Sequence, residues 1–392
     1  MRLLHTSDWH IGRTFHGHDL LDDQWRVLSE LAELVRAERV DVVLVSGDLY
    51  DRSVPSGEAV RLCVDVLERI RDAGARLVVT PGNHDSPQRV GAFAEFAAAG
   101  GLHLHTRTSR LHEPTVLEDE HGPVAFYGIP YLEPDPARQV LRSTPAPGAC
   151  AQDIGRDHPS VLEEAMNRVR AELAGRPAAR SVVLAHAFVT GGEGSDSERN
   201  IAVGGVDRVP AAVFDGVDYA ALGHLHGPQR VSERVRYSGS PLAYSFSEAG
   251  QRKSVWLIEL GADGVSEARR HELPVPRELA TVEGTLEELL NDPEHEAFTD
   301  CYVSATVIDE TRPLDGMRRL QRRFPHAVHM DWQPAEGRAG AALRYSEAVR
   351  GRDEQQIARD FVANCRGGDP SESERALLDR ALADVRASEV RE

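Results

Sequence analysis

The sequence lacks features that mark several large classes of protein. Lysine is almost absent: Lys253 is the only one, so arginine supplies nearly all of the positive charge among 45 basic side chains. The 63 acidic side chains outnumber these and give a net charge of −18. Long-range attraction therefore cannot draw nucleic acid to this chain, although net charge does not exclude a small metal-bearing cleft.

Membrane and export signals are also missing. No run of about 18 apolar residues occurs, and the first residues lack the apolar core and cleavage site of a signal peptide. No CxxC pair is present, which favours free thiols in a reducing compartment. The cysteines are Cys63, Cys150, Cys301 and Cys365. We therefore expect a cytoplasmic protein without a membrane contact.

Length and composition instead fit a folded chain of more than one domain. The chain has 392 residues, of which 41% are apolar, too many for a disordered protein. Up to about residue 265, short runs of Val, Leu and Ile alternate with segments of helical period, which predicts an α/β layered domain with buried strands. The predicted strands cover residues 2–6, 40–46, 76–80, 124–129, 181–185, 219–222 and 254–260, and the predicted helices cover 20–35, 58–72 and 159–174.

The rest of the chain has a different organisation. Residues 133–158 are rich in Pro, Ala and Arg and predict a surface connection, and the two prolines of 273–277 predict a hinge. Beyond it the pattern is strand, helix, strand, helix, strand, followed by two short helices. We therefore predict a large α/β domain over 1–270, a small α+β capping domain over 271–345, and a C-terminal helical pair over 346–392.

Polar residues follow five of the predicted strands directly. They are Asp8 with His10, Gly47-Asp48, Gly82-Asn83-His84-Asp85, His186, and Gly223-His224-Leu225-His226. One such residue alone is most often a cap or a turn, but the carboxyl ends of strands in an α/β sheet form one ligand-binding edge. The pairs two residues apart would also point the same way on an extended chain.

The donor set at this edge predicts a metal centre. Three oxygen donors and four imidazoles are too many for one ion and suit two; they are Asp8, Asp48, Asn83, His10, His186, His224 and His226. Carboxylate, amide and imidazole donors without thiolate favour Mn, Fe or Zn. Two such ions can hold both oxygens of an in-line phosphoryl displacement. The sequence therefore predicts a phosphoester hydrolase.

These motifs resemble those of the calcineurin-like metallophosphoesterases. The stretches 195–199, 218–229 and 237–248 are similar, more narrowly, to the nuclease subunits of bacterial double-strand-break repair complexes. The resemblance covers the first 265 residues by motif and the remainder by architecture. It implies a four-layer sandwich, with the small capping domain and the helical pair added to it.

The resemblance also implies roles for individual residues. One ion would be held by Asp8, His10, Asp48 and His226, and the other by Asp48, Asn83, His186 and His224. His84 would be the catalytic histidine, which stabilises the transition state or protonates the leaving oxygen. Asp51 would orient His84 by a hydrogen bond, while Asp85 is expected to be a turn or helix-cap residue rather than a ligand. The expected metal is Mn²⁺.

The function implied is that of a metal-dependent DNA nuclease. The family cuts double strands as a 3′–5′ exonuclease and single strands or hairpins as an endonuclease, in DNA end processing, repair and recombination. An SMC-like ATPase partner would bind the C-terminal helices, and two copies would pair through the nuclease domain. Two alternatives stay open: a same-fold phosphodiesterase or phosphatase acting on a small phosphoester, and a tail whose helices only pack on each other or on the second domain. A non-catalytic scaffold is disfavoured because every ligand position is filled.

Overall fold

A computed structural model describes most of the chain. It covers residues 1–144, 154–198, 208–334, 352–366 and 369–389. The chain divides into two compact units, Met1–Pro276 and Arg277–Glu392. The two prolines of the predicted hinge, Pro274 and Pro276, lie at this division.

Strands and helices alternate through most of the chain. The strands are β1 (Arg2–Thr6), β2 (Thr14–Phe15), β3 (His18–Asp19), β4 (Val42–Ser46), β5 (Arg76–Thr80), β6 (Leu102–Leu104), β7 (Thr115–Asp119), β8 (Gly122–Ile129), β9 (Arg180–His186), β10 (Tyr219–Gly223), β11 (Gln229–Arg230), β12 (Val235–Tyr237), β13 (Ser254–Gly261), β14 (Gly264–Glu272), β15 (Leu279–Gly284), β16 (Tyr302–Val307) and β17 (Ala327–Trp332). The helices are α1 (Leu21–Glu38), α2 (Gly57–Asp72), α3 (Pro87–Val90), α4 (Ala94–Ala99), α5 (Pro134–Ser143), α6 (His158–Leu173), α7 (Leu286–Asn291), α8 (Gly316–Arg323), α9 (Glu354–Arg366) and α10 (Glu372–Glu389).

Two six-stranded sheets form the centre of the first unit. Their strand orders are β14-β13-β1-β4-β5-β6 and β11-β12-β10-β9-β8-β7. In the first sheet, β1, β4, β5 and β6 run parallel, and in the second β8, β9, β10 and β12 do. Apolar side chains from both sheets, among them Leu44, Val78, Phe126 and Leu184, fill the space between them. This core explains why the central strands are continuously apolar.

Helices cover the outer faces of both sheets. On one side α1 and α2 pack together and α2 lies on β5. On the other side α5 and α6 bury Leu141, Val161 and Met166 against Tyr127 and Val183 of the second sheet. The order of layers is therefore helix, sheet, sheet, helix, and the predicted four-layer sandwich is confirmed.

One predicted connection contains a helix. Residues 133–158 were predicted only as a surface connection, and α5 begins within them at Pro134. Proline fits the first turn of a helix, where its missing N–H has no partner to lose. The composition indicated the connection but not the helix inside it.

The second unit contains a small parallel sheet with helices between its strands. The strand order is β15-β16-β17, and the order of elements matches the predicted strand, helix, strand, helix, strand. Leu286, Leu320 and Phe324 from its helices join Val303 and Ala305 in one core. The capping box of Thr285 and Glu288 starts α7.

The last two helices contact each other. Arg359 of α9 donates two hydrogen bonds to the Asp379 carboxylate of α10, at 2.9 and 3.0 Å. Ser371 and Glu374 form the predicted capping box at the start of α10. None of the helices in the described ranges is both long and apolar enough to cross a membrane.

The cysteines can be located in part. Cys63 is a buried free thiol, and Cys301 is a half-buried free thiol. Cys150 and the side chain of Cys365 lie outside the described residues.

Candidate metal centre

The predicted site residues lie where strands of the two sheets end at one edge. Across the interface between the sheets, β4 contacts both β9 and β10. Backbone hydrogen bonds of 3.0 Å join the loops that follow the strands, from Asp8 N to Gly47 O and from His10 N to Asp48 O. His224 N donates to both oxygens of Asp8, at 3.0 and 3.1 Å. Residues distant in sequence are thus fixed together.

The backbone at this edge is not extended, which corrects one step of the sequence argument. β1 ends at Thr6, and Asp8 and His10 both have positive φ, 53° and 45°. Asp48 and His224 also lie in this region, with φ of 51° and 105°. Such conformations are unfavourable for residues with a Cβ and concentrate at functional sites. The side chains converge because of these turns, and not because a straight strand presents alternate residues.

Three motif glycines leave room for the site. A Cβ on Gly47 would overlap the His186 ring, and one on Gly82 would overlap the Asp48 carboxylate. A Cβ on Gly223 would overlap the carbonyl oxygen of Ser46. Glycine precedes Asp48, Asn83 and His224 because the preceding position has no space for a side chain.

Carboxylate and imidazole donors meet in overlapping groups. Ligand atoms of Asp8, His10 and His226 lie within 4.8 Å of one another, and so do those of Asp8, Asp48 and His186. Asp48 Oδ2 is 3.6 Å from His10 Nε2 and 3.4 Å from His186 Nε2. A carboxylate between the two histidines is placed as the predicted bridge requires.

The other two predicted ligands are placed differently. Asn83 Oδ1 lies 2.8 Å from Nε2 of His186. The other ring nitrogen of His186, Nδ1, is 3.0 Å from Ser46 O. When Nδ1 donates to Ser46 O, Nε2 can keep its lone pair for a metal ion. The His224 ring is next to the His186 ring, with centroids 5.3 Å apart. Within the described residues, His224 joins none of the three-residue groups of donors.

Burial sets the charges of the centre. It lowers the pKa of His10 and of His224 well below the usual value, so both rings are neutral and can donate a lone pair. Burial likewise raises the pKa of Asp8 to about 6. It also opposes ionisation of Asp48, but the neighbouring His186 holds that pKa well below its usual range.

The donor set therefore fits divalent cations. His10 and His226 point their Nε2 atoms at each other across 3.1 Å, and the buried His10 Nδ1 makes no hydrogen bond. Neutral imidazoles and carboxylates packed this closely, without thiolate, suit Mn, Fe or Zn. The residues present thus fit the two ions that the sequence implies.

His84 lies beside the donors and is held from the backbone. Its Nδ1 is 2.7 Å from the carbonyl oxygen of Asp51 and donates to it. The Asp51 carboxylate lies elsewhere, 3.7 Å from His10 Nδ1 and 3.6 Å from Arg13 Nη1. Asp51 therefore holds His84 by a hydrogen bond, but the acceptor is its main-chain carbonyl oxygen and not the predicted carboxylate. His84 also forms a possible ligand group with His10 and Asp48.

Asp85 fastens two loops of the site. Its carboxylate accepts hydrogen bonds from Gly82 N at 2.9 Å and from Leu49 N and Tyr50 N at 3.0 Å. The first of these is the predicted turn. The helix cap is a different residue, since Ser86 caps α3.

The sequence was compared with protein families. The model for calcineurin-like phosphoesterases matches residues 1–228, more than half of the chain. The chain belongs to the calcineurin-like phosphoesterase family. It is therefore a metallophosphoesterase, a metal-dependent hydrolase, and the edge described above carries a cluster of possible ligands for divalent ions.

A second model matches the end of the chain. It is SbcD_C, described as the type 5 capsule protein repressor C-terminal domain, and it covers residues 275–366. The two matches together confirm that this metallophosphoesterase resembles SbcD, the nuclease subunit of the bacterial SbcCD complex.

Solved structures resemble the metallophosphoesterase weakly. TT1561 of Thermus thermophilus is 14% identical, with a TM-score of 0.40, over 69% of this chain and 98% of its own. GAP50 of Plasmodium, titled the anchor in the inner membrane complex, is 12% identical, with a TM-score of 0.39, over 87% and 99%. A dimetal phosphatase from Danio rerio is 11% identical, with a TM-score of 0.38, over 70% and 99%. At these scores the family assignment depends on the sequence match alone.

Residues behind the donors were missed by sequence reasoning. The stretch 195–199 served only as a motif of the resemblance, with no role given to its side chains, yet Ser197 Oγ lies 2.6 Å from His226 Nδ1. Glu248 and Lys253 form a buried ion pair next to the same ring. The available signals were that Ser197 and Glu248 lie in stretches that resemble the family and that Lys253 is the sole lysine of an arginine-rich chain.

Proposed function

We propose that this metallophosphoesterase is a DNA nuclease of the SbcD type. It would act with Mn²⁺ as a double-strand 3′–5′ exonuclease and as an endonuclease on single strands or hairpins, in DNA end processing, repair and recombination. The observation that carries the proposal is the order of the two matched domains, a phosphoesterase followed by an SbcD-type C-terminal domain. An enzyme that hydrolyses a small phosphoester has no evident need of the C-terminal domain.

In this proposal the ions activate water and neutralise charge on the phosphate. Residues of the chain would hold the ions and supply the proton. Asp48 would bridge the two predicted ligand sets, and its Oδ1 accepts a hydrogen bond of 2.8 Å from His84 N. His84 is held through Nδ1, so its Nε2 points away from the Asp51 carbonyl. From Nε2, His84 would donate a proton to the leaving oxygen.

DNA binding would depend on a partner. With a net charge of −18, the chain does not attract a polyanion by itself, so an SMC-like ATPase would supply much of the DNA-binding surface. Two apolar side chains of the final helices support a docking site: Phe361 of α9 is 55% exposed and Leu377 of α10 is 60% exposed. An apolar helix face of this kind suits a helix-in-groove contact.

Pairing of two copies through the nuclease domain is also part of the proposal. Val60 and Val64 lie one turn apart on α2 and are 39% and 45% exposed. Phe93 and Phe96, at the start of α4, are 73% and 81% exposed. Apolar side chains this exposed favour an interface, and sedimentation of the purified chain measures the pairing directly.

The test is a cleavage assay on defined DNA. We expect the purified chain, with Mn²⁺ and the ATPase partner, to cut labelled hairpin and linear duplex DNA, and chelation to abolish cutting. The control is Asp48→Ala, which removes the carboxylate common to the two predicted ligand sets and should lose cutting and both ions together. Hydrolysis of small phosphoesters with intact DNA would instead favour the alternative, a small-substrate phosphodiesterase.

A further inference from the structure

Behind the donors lies a buried ion pair that the proposed mechanism does not use. Lys253 Nζ donates to Glu248 Oε2 at 2.5 Å, and the two side chains are 1% and 0% exposed. A buried pair adds little stability relative to apolar side chains of the same size, because both charges lose their hydration. Its position calls for a physical explanation other than stability.

Lys253 holds the main chain of a predicted ligand. Its Nζ also donates to the carbonyl oxygen of His226 at 3.0 Å, to Ser240 Oγ at 3.1 Å and to Gln251 Oε1 at 2.9 Å. The amide N of His226 donates in turn to Glu198 Oε1, at 2.8 Å. The backbone of His226 is thus fixed on both sides of its Cα.

Glu248 holds the ring of the same ligand. Glu248 Oε1 accepts a short hydrogen bond from Ser197 Oγ and lies 3.4 Å from His226 Nδ1. Ser197 Oγ is itself 2.6 Å from His226 Nδ1. A chain of donors runs from the imidazole to the serine hydroxyl and then to the carboxylate. It fixes the proton on Nδ1 and leaves the lone pair of Nε2 facing His10.

We infer that the Glu248–Lys253 pair, through Ser197, is a positioning device for the metal ligand His226. Lys253 fixes where the residue sits, and Glu248 fixes which nitrogen faces the ion. The inference depends on the proposed metal site but not on DNA as substrate. It also ties the segment of Ser195 and Ser197 to the centre, because Glu248 accepts from both hydroxyls.

Metal titration of Glu248→Gln tests the inference. The amide keeps the shape but cannot accept as a carboxylate does, and loss of such an outer partner costs about 10–100-fold in metal affinity. We expect Mn²⁺ calorimetry, run well below the melting temperature, to show one of two sites weakened by that factor. Wild-type affinity at both sites would overturn the inference.

A second buried ion pair in the same unit is the matched control. Asp119 accepts from Arg180 at 2.5 Å, with side chains 13% and 6% exposed, and it touches none of the predicted ligands. Asp119→Asn should lower the melting temperature and leave Mn²⁺ affinity unchanged. Equal losses of affinity in Asp119→Asn and Glu248→Gln would show that the Glu248 pair serves only stability.

Two further measurements apply if Glu248→Gln does not fold. Ser197→Ala removes one hydroxyl and should weaken the same Mn²⁺ site. In the wild type, an amine-reactive acetylating reagent can be followed at two amines of this sequence, Lys253 Nζ and the Met1 amine, which is bound to Asp119. We expect Mn²⁺ to slow acetylation of Lys253 more than that of Met1, which reports global stability. Equal slowing of both amines, with unchanged affinity in Ser197→Ala, would refute the inference.

The outcomes separate this inference from the proposed function. Weaker Mn²⁺ binding in Glu248→Gln, together with a wild type that binds Mn²⁺ but leaves DNA intact, would support the positioning role and reject the nuclease. A wild type that binds no divalent ion would reject both.

Discussion

The proposed role of His84 as a general acid depends on which of its two ring nitrogens is hydrogen-bonded to the protein. Its Nδ1 is bound to the Asp51 carbonyl, so the ring offers only Nε2 to chemistry. We expect His84→Ala to keep both ions and its DNA affinity while turnover falls by about 10²–10⁴-fold, the usual loss when general acid help is removed. Metal analysis and single-turnover cleavage measure the two effects separately. Loss of one ion in step with activity would show that His84 is a ligand, as its group with His10 and Asp48 allows.

The ionisation of the centre predicts that metal affinity depends on pH. Burial lowers the pKa of His186, but the Asp48 carboxylate overrides it and raises the value to about 9, while burial raises the pKa of Asp8 to about 6. A bound cation must displace these protons. Mn²⁺ affinity should therefore rise as pH increases from 6 toward 9 and fall most steeply below 6. Calorimetry in two buffers of different protonation enthalpy counts the released protons, and an affinity independent of pH would contradict this prediction.

At the residue scale, sequence predicted the donors better than their supports. Asp8, Asp48 and His186 could be found because each lies at the end of a buried strand or two residues beyond it, and a strand is a local pattern. Glu248 and Lys253 could not be found in this way. They contact His226, which is more than 20 residues away in sequence, and only the folded chain brings them together. The hydrogen bond from His84 Nδ1 to the Asp51 main-chain carbonyl could not be predicted either, because every residue has a carbonyl and the side-chain type does not indicate which one is used.

At the scale of elements, the site requires that strands from two sheets end in contact. Gly223, the last residue of β10, is where β10 meets β4, and an added Cβ would overlap Ser46 O and lie 2.9 Å from Ser7 Cβ. A main-chain partner cannot rotate away. We therefore expect Gly223→Ala to cost about 1–3 kcal/mol of stability, as overpacked cores do, and to weaken metal binding. Thermal unfolding and Mn²⁺ titration measure these effects.

The control for Gly223→Ala is a glycine with open space around it. Gly57 begins α2, and nothing lies within 4 Å of its added Cβ. Gly57→Ala should leave metal affinity unchanged and stability equal or slightly higher, since alanine favours helix. A Gly223→Ala variant as stable and as tightly metal-bound as Gly57→Ala would show that the edge is more pliable than the contacts indicate.

Most elements could be predicted from sequence because their patterns are local. The runs at β4, β5 and β9 have apolar centres, and the stripe of α1 is regular, so strand and helix were assigned within a few residues. The exceptions depend on tertiary context. The helix α5 lies in a segment whose composition predicted only a surface connection, and the positive φ of Asp8 and His10 comes from loops bound to a neighbouring loop by backbone hydrogen bonds.

At the scale of the whole molecule, charge and architecture favour action within a complex. An acidic chain with a phosphoesterase centre is expected to lack the surface that holds DNA, which a partner would supply. The second unit ends in two helices that contact each other yet leave apolar side chains exposed. The interpretation that these helices only pack on each other or on the second domain explains their ion pair but not the exposed Phe361 and Leu377.

Removal of the tail should therefore separate partner binding from the metal centre. Helices this short are marginal in isolation, so in the proposed complex α9 and α10 would gain stability by docking into a groove of the ATPase. Deletion from residue 346 onward should leave a folded, Mn²⁺-binding protein that no longer co-purifies with the ATPase. The milder pair Phe361→Ser and Leu377→Ser should weaken the complex at least tenfold in a pull-down titration, whereas Arg380→Ser, at an exposed polar position of α10, should leave it intact. If the deleted chain kept the ATPase at native affinity, the docking site would have to lie elsewhere on the protein.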